Sequence, residues 1–303
     1  MSDIERVKQK IAELKEALRA VIIVHNYQRP EVQDIADFVG DSLELSRRCT
    51  EVDAETIVFC GVHFMAETAA ILNPDRTVLL SAGTAGCPMA DMITSDQLRE
   101  WKQRYPGAPV VCYVNSTAEV KAESYICCTS ANGIRVVDSV PGDEIIFVPD
   151  ENLGHYISTK TKKRLILYPG FCIVHHRLRA EQVEQAKEQH PEAQVLVHPE
   201  CQPEVIALAD AVCSTSQMIR YARESGHDSF IIATEEGLLY RLRNENPGKS
   251  FHLVTRSQVC RNMKKTTLET VARTMEFREN VITVPEEIRV KAKEAVDRML
   301  AVV

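Results

Sequence analysis

A pattern that occurs three times along the chain constrains its fold more than any other feature. Cys87, Cys172 and Cys260 are separated by 85 and 88 residues, and each follows a short apolar run. Two further apolar runs precede each cysteine in the same order, and the first of these runs read AVIIVHNYQ, APVVCYVNS and AQVLVHPEC. Because each copy of such a repeat forms one structural unit, the chain is predicted to contain three homologous units.

The apolar runs alternate with helical patterns, which is typical of parallel β-sheets covered by helices. We predict an α/β fold of three homologous units with small parallel sheets, arranged about a pseudo-threefold axis around a central active-site cavity. Ligands of such sheets bind outside the carboxyl ends of the strands. The predicted segments are an N-terminal helix at 1–19, α/β units at 20–104, 105–189 and 190–275, and a C-terminal segment with a helix at 276–303.

The three repeated cysteines point to a metal centre. Equivalent positions of three units meet around a shared axis, so one cysteine per unit gives three thiolates that face one point. Three soft thiolates without a fourth protein ligand suit an iron–sulfur cluster that keeps one iron open. The other seven cysteines are interpreted as structural. Among these, Cys127 and Cys128 are predicted to lie outside the repeat, and Cys201 to lie near the pocket.

Polar side chains follow the first apolar run of each unit. They are His25 and Tyr27 in the first unit, Tyr113 and Asn115 in the second, and His198 and Glu200 in the third. Histidine, tyrosine and glutamate can transfer protons when burial adjusts their pKa values. A step of 17 residues from the first polar residue of each unit reaches Ser42, Ser130 and Thr215. Their hydroxyls, and that of Ser214, are expected either to cap helices or to bind a carboxylate or phosphate at a helix N-terminus. The set favours a small, multiply anionic substrate.

Charge and hydropathy exclude several classes of partner. The chain has 36 basic and 43 acidic residues, a net charge of −7, and the two signs are interspersed. No nucleic-acid-binding surface is therefore predicted. The apolar runs are far too short to span a membrane, and the charged N-terminal stretch lacks the apolar core of a signal peptide. A cytoplasmic location is expected, where thiols stay reduced.

Ten short motifs follow one another along essentially the whole chain: VHNYQ, GDSLELS, FCGVHFMAET, GCPMADM, CYVNST, CCTSAN, PGFCIVH, VHPEC, STSQM and CRNMKK. In this order they resemble the quinolinate synthase family, the A protein of NAD biosynthesis. The resemblance implies a 4Fe–4S cluster held by Cys87, Cys172 and Cys260, with the fourth iron free to bind substrate. It also implies condensation of iminosuccinate (iminoaspartate) with dihydroxyacetone phosphate to quinolinate, with loss of phosphate and water.

The resemblance also implies which residues hold the substrate: His25, Ser42, Tyr113, Val114, Asn115, Ser130, His198, Pro199, Glu200 and Thr215. Glu200 is the predicted general base, with Tyr113 and Tyr27 as proton carriers, while His25 and His198 are expected to orient carboxylates. The family usually works beside an aspartate oxidase or dehydrogenase, which implies functional coupling to such an enzyme. One departure is Cys213, which stands where a small residue, often glycine, is expected.

Two alternatives from other functional classes remain open at this point. The three cysteines could bind zinc together with His175 and tie the units together, although a closed zinc site would leave the carboxylate-binding residues without a purpose. The chain could also be a redox or iron sensor without catalytic activity. Such a sensor would not need Glu200 and a pair of tyrosines in the cavity.

Overall fold

The computed structural model of the chain describes residues 2–302, which contain three separate four-stranded parallel sheets. The first sheet consists of β1 (Ala20–His25), β2 (Phe38–Gly40), β3 (Thr56–Cys60) and β4 (Thr77–Leu80). The second consists of β5 (Val110–Tyr113), β6 (Ile126–Cys128), β7 (Glu144–Val148) and β8 (Arg164–Leu167). The third consists of β9 (Gln194–Val197), β10 (Ala211–Val212), β11 (Ser229–Ala233) and β12 (Ser250–Leu253). The prediction of an α/β fold with three similar units is confirmed, and a unit here means one sheet with its helices.

All three sheets have the same strand order. The second strand in the chain lies at one edge beside the first, and the third and fourth strands follow on the other side. The chain therefore reverses direction across the sheet between the first and third strands. Such a switch point leaves a crevice at the carboxyl ends of the strands, where ligands bind. His25, Tyr113 and His198 lie at or directly after the carboxyl ends of β1, β5 and β9.

One short strand in each sheet was not predicted from the sequence. Strands β2, β6 and β10 have only two or three residues, and they pair in parallel with the first strand of their sheet. Runs this short are below the length at which apolar periodicity marks a strand. Cys127 and Cys128, interpreted above as structural, are both buried in β6.

Fifteen α-helices cover the sheets within residues 2–302. They are α1 (Asp3–Ala17), α2 (Pro30–Gln33), α3 (Ser42–Glu51), α4 (His63–Leu72), α5 (Ser95–Arg104), α6 (Ala118–Ala122), α7 (Gly133–Ser139), α8 (Glu151–Ser158), α9 (Ile173–His176), α10 (Ala180–Gln189), α11 (Pro203–Ile206), α12 (Thr215–Glu224), α13 (Leu238–Glu245), α14 (Leu268–Phe277) and α15 (Glu286–Ala301). Short 3₁₀ helices cover Ala90–Met92 and Met263–Lys265. No helix in this part of the chain is long and apolar enough to cross a membrane.

The two ends of the chain pack on the first two units. Helix α14 follows the third sheet in the chain, yet it packs with α1 on the first sheet, where Ile11 and Met275 share one core. Helix α15 packs against α6, β6 and α4 and so lies across the first and second units. The segment boundaries given above stay predictions.

Replacing Val296 of α15 by alanine should lower the free energy of unfolding by about 2 kcal/mol. Val296 is fully buried in the core of the second unit, and the change removes two buried methyl groups, worth ~0.8 kcal/mol each, and leaves a cavity. Val290 of the same helix is 45% exposed, so Val290→Ala should change stability by less than about 0.5 kcal/mol. Urea unfolding measures both variants, and equal effects would contradict this packing of α15.

Candidate active site

The carboxyl ends of the three sheets face one cavity of about 150 Å³. All three units contribute to its lining, and it brings together all but two of the predicted site residues. Those that line it are His25, Tyr27, Ser42, Cys87, Tyr113, Asn115, Ser130, Cys172, His198, Glu200, Thr215 and Cys260. Side chains more than 200 positions apart in the sequence therefore share one small space.

The two predicted residues that lie outside this lining are Val114 and Pro199. Val114 is in the core of the second unit, and Pro199 lines a neighbouring cleft. Side chains in an extended segment alternate between its two faces. Since Tyr113 faces the cavity at the end of β5, Val114 faces away from it, whereas Pro199 lies in the turn that follows β9.

The three repeated cysteines lie in loops that follow β4, β8 and β12, and all ten cysteines of the chain have free thiols. Burial raises the pKa of each of the three thiols, to about 12 for Cys87. A short helical turn follows each cysteine, and its backbone N–H groups oppose this shift by favouring the thiolate. The donors are Ala90 and Met89 for Cys87, His175 for Cys172, and Met263 and Asn262 for Cys260.

The spacing of the three sulfurs differs from that of a single-ion site. Among residues 2–302, the only three ligand atoms within 4.8 Å of one another belong to Cys172, His175 and Glu200. Three cysteines on one zinc, with Zn–S bonds of about 2.3 Å, would place their sulfurs less than about 4 Å apart. The three cysteine sulfurs therefore do not all lie as close together as a single zinc ion requires.

The Cys172, His175 and Glu200 triad does not itself have the geometry of an ion site. His175 Nδ1 lies 2.6 Å from Glu200 Oε2, but the angle at this contact is not that of a regular hydrogen bond. Two ligands of one zinc ion, each about 2 Å from it, would be roughly 3 Å or more apart. The two side chains are therefore in direct contact.

Two buried carboxylates, which the sequence analysis missed, hold the cysteine loops. Asp150 Oδ2 accepts a hydrogen bond from Cys172 N (3.2 Å), and Glu235 Oε1 accepts one from Cys260 N (3.0 Å). Both residues are fully buried, and burial raises the pKa of both carboxyl groups. Each lies six residues after the start of the third strand of its unit, the place that Val62 occupies in the first unit. Asp150 follows the letters VP and Glu235 follows the letters AT. An acidic residue at the same place in two repeats is the sequence signal that could have revealed both.

Glu200 is the centre of a buried hydrogen-bond chain. The Tyr113 hydroxyl donates to Glu200 Oε1, and His175 contacts Oε2. On its other ring nitrogen, His175 Nε2 lies 2.8 Å from the Thr234 hydroxyl, which is 2.6 Å from the Tyr27 hydroxyl. Burial alone would raise the pKa of Glu200, but the neighbouring His175 and the hydrogen bond from the Tyr113 hydroxyl outweigh burial and lower it. Glu200 is therefore a carboxylate at neutral pH.

His25 and His198 are neutral for the opposite reason. Burial lowers the pKa of both imidazoles to about 3. In each, Nδ1 accepts a backbone hydrogen bond from the residue two positions on, at 3.2 Å for Tyr27 N and 3.3 Å for Glu200 N. A neutral imidazole that accepts at Nδ1 carries its proton on Nε2. Both rings can therefore donate a hydrogen bond without carrying a charge.

The hydroxyls of Ser42, Ser130 and Thr215 face the cavity, and none of them caps a helix. The N-cap of α3 is Asp41, that of α12 is Ser214, and α7 follows Asn132. The capping interpretation is therefore wrong for these three residues, although it holds for Ser214. The Thr215 hydroxyl accepts a hydrogen bond from Asn26 Nδ2 at 2.8 Å.

Two other cysteines near the site are structural. Cys201 is fully buried, and its thiol points to the Ala233 carbonyl oxygen at 3.6 Å. Cys213 precedes the N-cap of α12 and packs in the core of the third unit. Its thiol is accommodated there as a small apolar side chain.

Comparison with known proteins gives a consistent result over nearly the whole chain. A family model described as Quinolinate synthetase A protein matches residues 9–301. Proteins named quinolinate synthase are similar to this chain. That of Dehalococcoides mccartyi strain CBDB1 is 57% identical over 299 residues, which cover 99% of both chains. Identity is 56% over 301 residues for those of Thermodesulfovibrio yellowstonii, covering 99% of both chains, and Methanoregula boonei, covering 99% of this chain and all of the relative.

Lowering the pH from 7 to 5 should destabilise the wild-type protein by about 2 kcal/mol more than a His198→Gln variant. The folded pKa of His198 is about 3, whereas an unfolded histidine titrates near 6.5. Between these values the unfolded chain binds a proton that the folded chain does not, so the free energy of unfolding falls as the pH drops. Urea unfolding of both proteins at the two pH values measures the difference. A parallel pH dependence would show that the His198 ring is charged in the folded protein.

Proposed function

The chain belongs to the quinolinate synthetase A protein family, and on this premise we propose that it is a quinolinate synthase that condenses iminosuccinate (iminoaspartate) with dihydroxyacetone phosphate. The products are quinolinate, phosphate and water, and quinolinate is the precursor that supplies the pyridine ring of NAD. The observation that carries the proposal is a single cavity that presents three cysteines together with a buried carboxylate between tyrosine and histidine.

We propose that Cys87, Cys172 and Cys260 hold a 4Fe–4S cluster. The fit is supported by the three soft ligands, by a spacing that is too wide for a single zinc ion and by the backbone N–H groups that favour each thiolate. Apolar side chains such as Met65, Met89 and Met263 also line this region, and an apolar surround limits access of water to a cluster. When bound, such a cluster with one open iron supplies a Lewis acid that eases the loss of a hydroxyl group.

The substrate carboxylates are proposed to bind to the neutral donors of the cavity. His25 and His198 can donate from Nε2, and Ser42, Ser130 and Thr215 supply hydroxyls from all three units. Asn115 contributes an amide whose Oδ1 is buried without a partner among residues 2–302, so a donor on the substrate can pair with it. Preorganised hydrogen bonds of this kind orient a dianion and stabilise charge that develops during ring formation.

Glu200 is proposed to accept protons during the condensation. Its low pKa keeps it ionised at neutral pH, but it also makes Glu200 a weak base in the resting cavity. We propose that Tyr113 and His175 compensate for this weakness by acting as relays. Tyr113 can take a proton from the substrate while it passes its own proton to the carboxylate, and His175 can take one from the Thr234 hydroxyl. Tyr27 joins the same relay through Thr234.

A redox or iron sensor would have no use for this relay, and the enzyme is therefore preferred. Functional coupling to an aspartate oxidase or dehydrogenase is proposed on chemical grounds, because one of these reactions must supply the imine. A cytoplasmic location is proposed because the cysteine ligands of the cluster must stay reduced, and thiols stay reduced in the cytosol.

Replacing Cys87, Cys172 or Cys260 by serine should abolish both iron binding and quinolinate formation. A hard hydroxyl is a poor ligand for the irons of such a cluster. Matched changes at Cys49, Cys60 and Cys112, which are buried in the cores, should leave the iron content unchanged. Iron and sulfide analysis of anaerobically purified protein measures the result. Full iron content and activity in any of the three ligand variants would refute the proposed cluster site.

Replacing Glu200 by glutamine should leave the iron content intact and lower kcat by roughly 10²–10⁴-fold, as expected for loss of an acid–base group. Quinolinate should still bind, because the neutral donors of the cavity are unchanged. Steady-state assays and direct quinolinate titration separate these effects. A near-normal kcat would transfer the base role to Tyr113 or Tyr27.

A further inference from the structure

We propose that a cleft lined by arginines, on the outer side of the active-site wall, binds a small phosphate-bearing anion. The cleft has a volume of about 390 Å³ and receives Arg47, Arg135 and Arg220. It is separate from the cavity that contains the cysteines, and nothing in the proposed reaction so far uses it.

The three arginines occupy the same position in the three units. Each lies five residues after one of the hydroxyl residues that line the active-site cavity, Ser42, Ser130 and Thr215. They belong to the helices α3, α7 and α12, and all three are exposed. The repeat thus places one equivalent arginine of each unit at this cleft, and Arg223 and Arg241 of the third unit line it as well.

The acidic residues of the cleft do not neutralise these three arginines. Asp41 caps α3 and accepts a hydrogen bond from Ser214, and Glu44 accepts one from Ser216 at 2.6 Å. Glu245 pairs with Arg241, which also lines the cleft. Among residues 2–302, no acidic group lies within 4.0 Å of the Arg47, Arg135 or Arg220 guanidinium, since none of the ion pairs includes them.

The wall between cleft and cavity is about one residue thick. Ala131 and Ser214 line the cleft, the adjacent Ser130 and Thr215 line the cavity beside Ser42, and Asp41 lines both. Hydrogen bonds between units close this wall. Ser214 Oγ donates to Asp41 Oδ2 at 3.2 Å, and Gln217 Nε2 donates to the Ala131 carbonyl oxygen at 3.2 Å. The cleft therefore lies directly behind the substrate-binding hydroxyls.

This arrangement selects the chemical class of the ligand. Guanidinium groups bind phosphate oxygens in a bidentate manner, and three arginines without an acidic partner line this one cleft. On a chain with a net charge of −7, this local concentration of positive charge would also attract anions from solution. On the basis of the proposed function, the phosphate group belongs either to the three-carbon substrate or to the released product.

Titration calorimetry of phosphate binding tests the proposal. The protein is the anaerobically prepared holoenzyme, saturated with quinolinate so that the inner cavity is filled. The wild-type protein should bind inorganic phosphate. Each of Arg47→Gln, Arg135→Gln and Arg220→Gln should weaken this binding roughly tenfold, the effect of losing one charge-assisted hydrogen bond. The triple variant should show no measurable binding.

The matched control is the triple variant Arg104→Gln, Lys162→Gln and Lys291→Gln, which removes the same charge from exposed positions elsewhere. It should bind phosphate as the wild type does. Equal losses in both triple variants would show a general charge effect and overturn the site, as would unchanged binding in the arginine variant or no binding in the wild type.

Parallel titrations with dihydroxyacetone phosphate identify the source of the phosphate group. Tighter binding than that of inorganic phosphate assigns the cleft to the substrate, and equal affinities assign it to the released phosphate. The readout is binding alone, so it does not depend on turnover. A protein that binds phosphate through these arginines but forms no quinolinate would disprove the proposed function and leave the cleft site intact.

Discussion

The arrangement of the units depends on a buried carboxylate that no single unit could accommodate. Glu200 is 3% exposed, and an isolated charge at that depth would be costly. The chain of contacts that compensates it runs from Tyr27 in the first unit to Thr234 in the third, His175 in the second, Glu200 in the third and Tyr113 in the second. Every link crosses from one unit to another. The contacts that compensate Glu200 therefore exist only where the units are packed together.

Buried polar groups also hold the loops that carry the cysteines. Asp150 and Glu235 fix the backbone of two cysteine loops, and Lys264 lies 2.9 Å from Glu235 while it also donates to the Tyr27 carbonyl oxygen. One partly buried lysine thus connects the third cysteine loop with the first unit. Cysteine and methionine side chains and neutral hydrogen-bond donors line the same cavity, a combination that suits the proposed metal-assisted loss of a hydroxyl group.

Many of the site residues could be predicted from the sequence because of the repeat. A functional residue in one unit indicates the equivalent positions in the other two. The positions of Cys87, Cys172 and Cys260, and of the polar residues after the first strands, follow from the shared register. His175 was considered only as a zinc ligand, because its distance from Glu200 depends on how two loops meet. The edge strands, such as Ala211–Val212, were missed since backbone pairing with the neighbouring strand, rather than their own sequence, makes them strands.

The sequence by itself determined the three-unit α/β organisation, the family and the equivalence of positions between units, because these depend on local patterns and their spacing. Only the tertiary structure decided that Val114 and Pro199 turn away from the cavity, that Asp41 rather than Ser42 caps α3, and that Glu200 is held as a carboxylate. It also brought the arginines of three helices to one cleft. The physical reason is that side-chain direction, burial and pKa depend on neighbours supplied by other units, which no local pattern encodes.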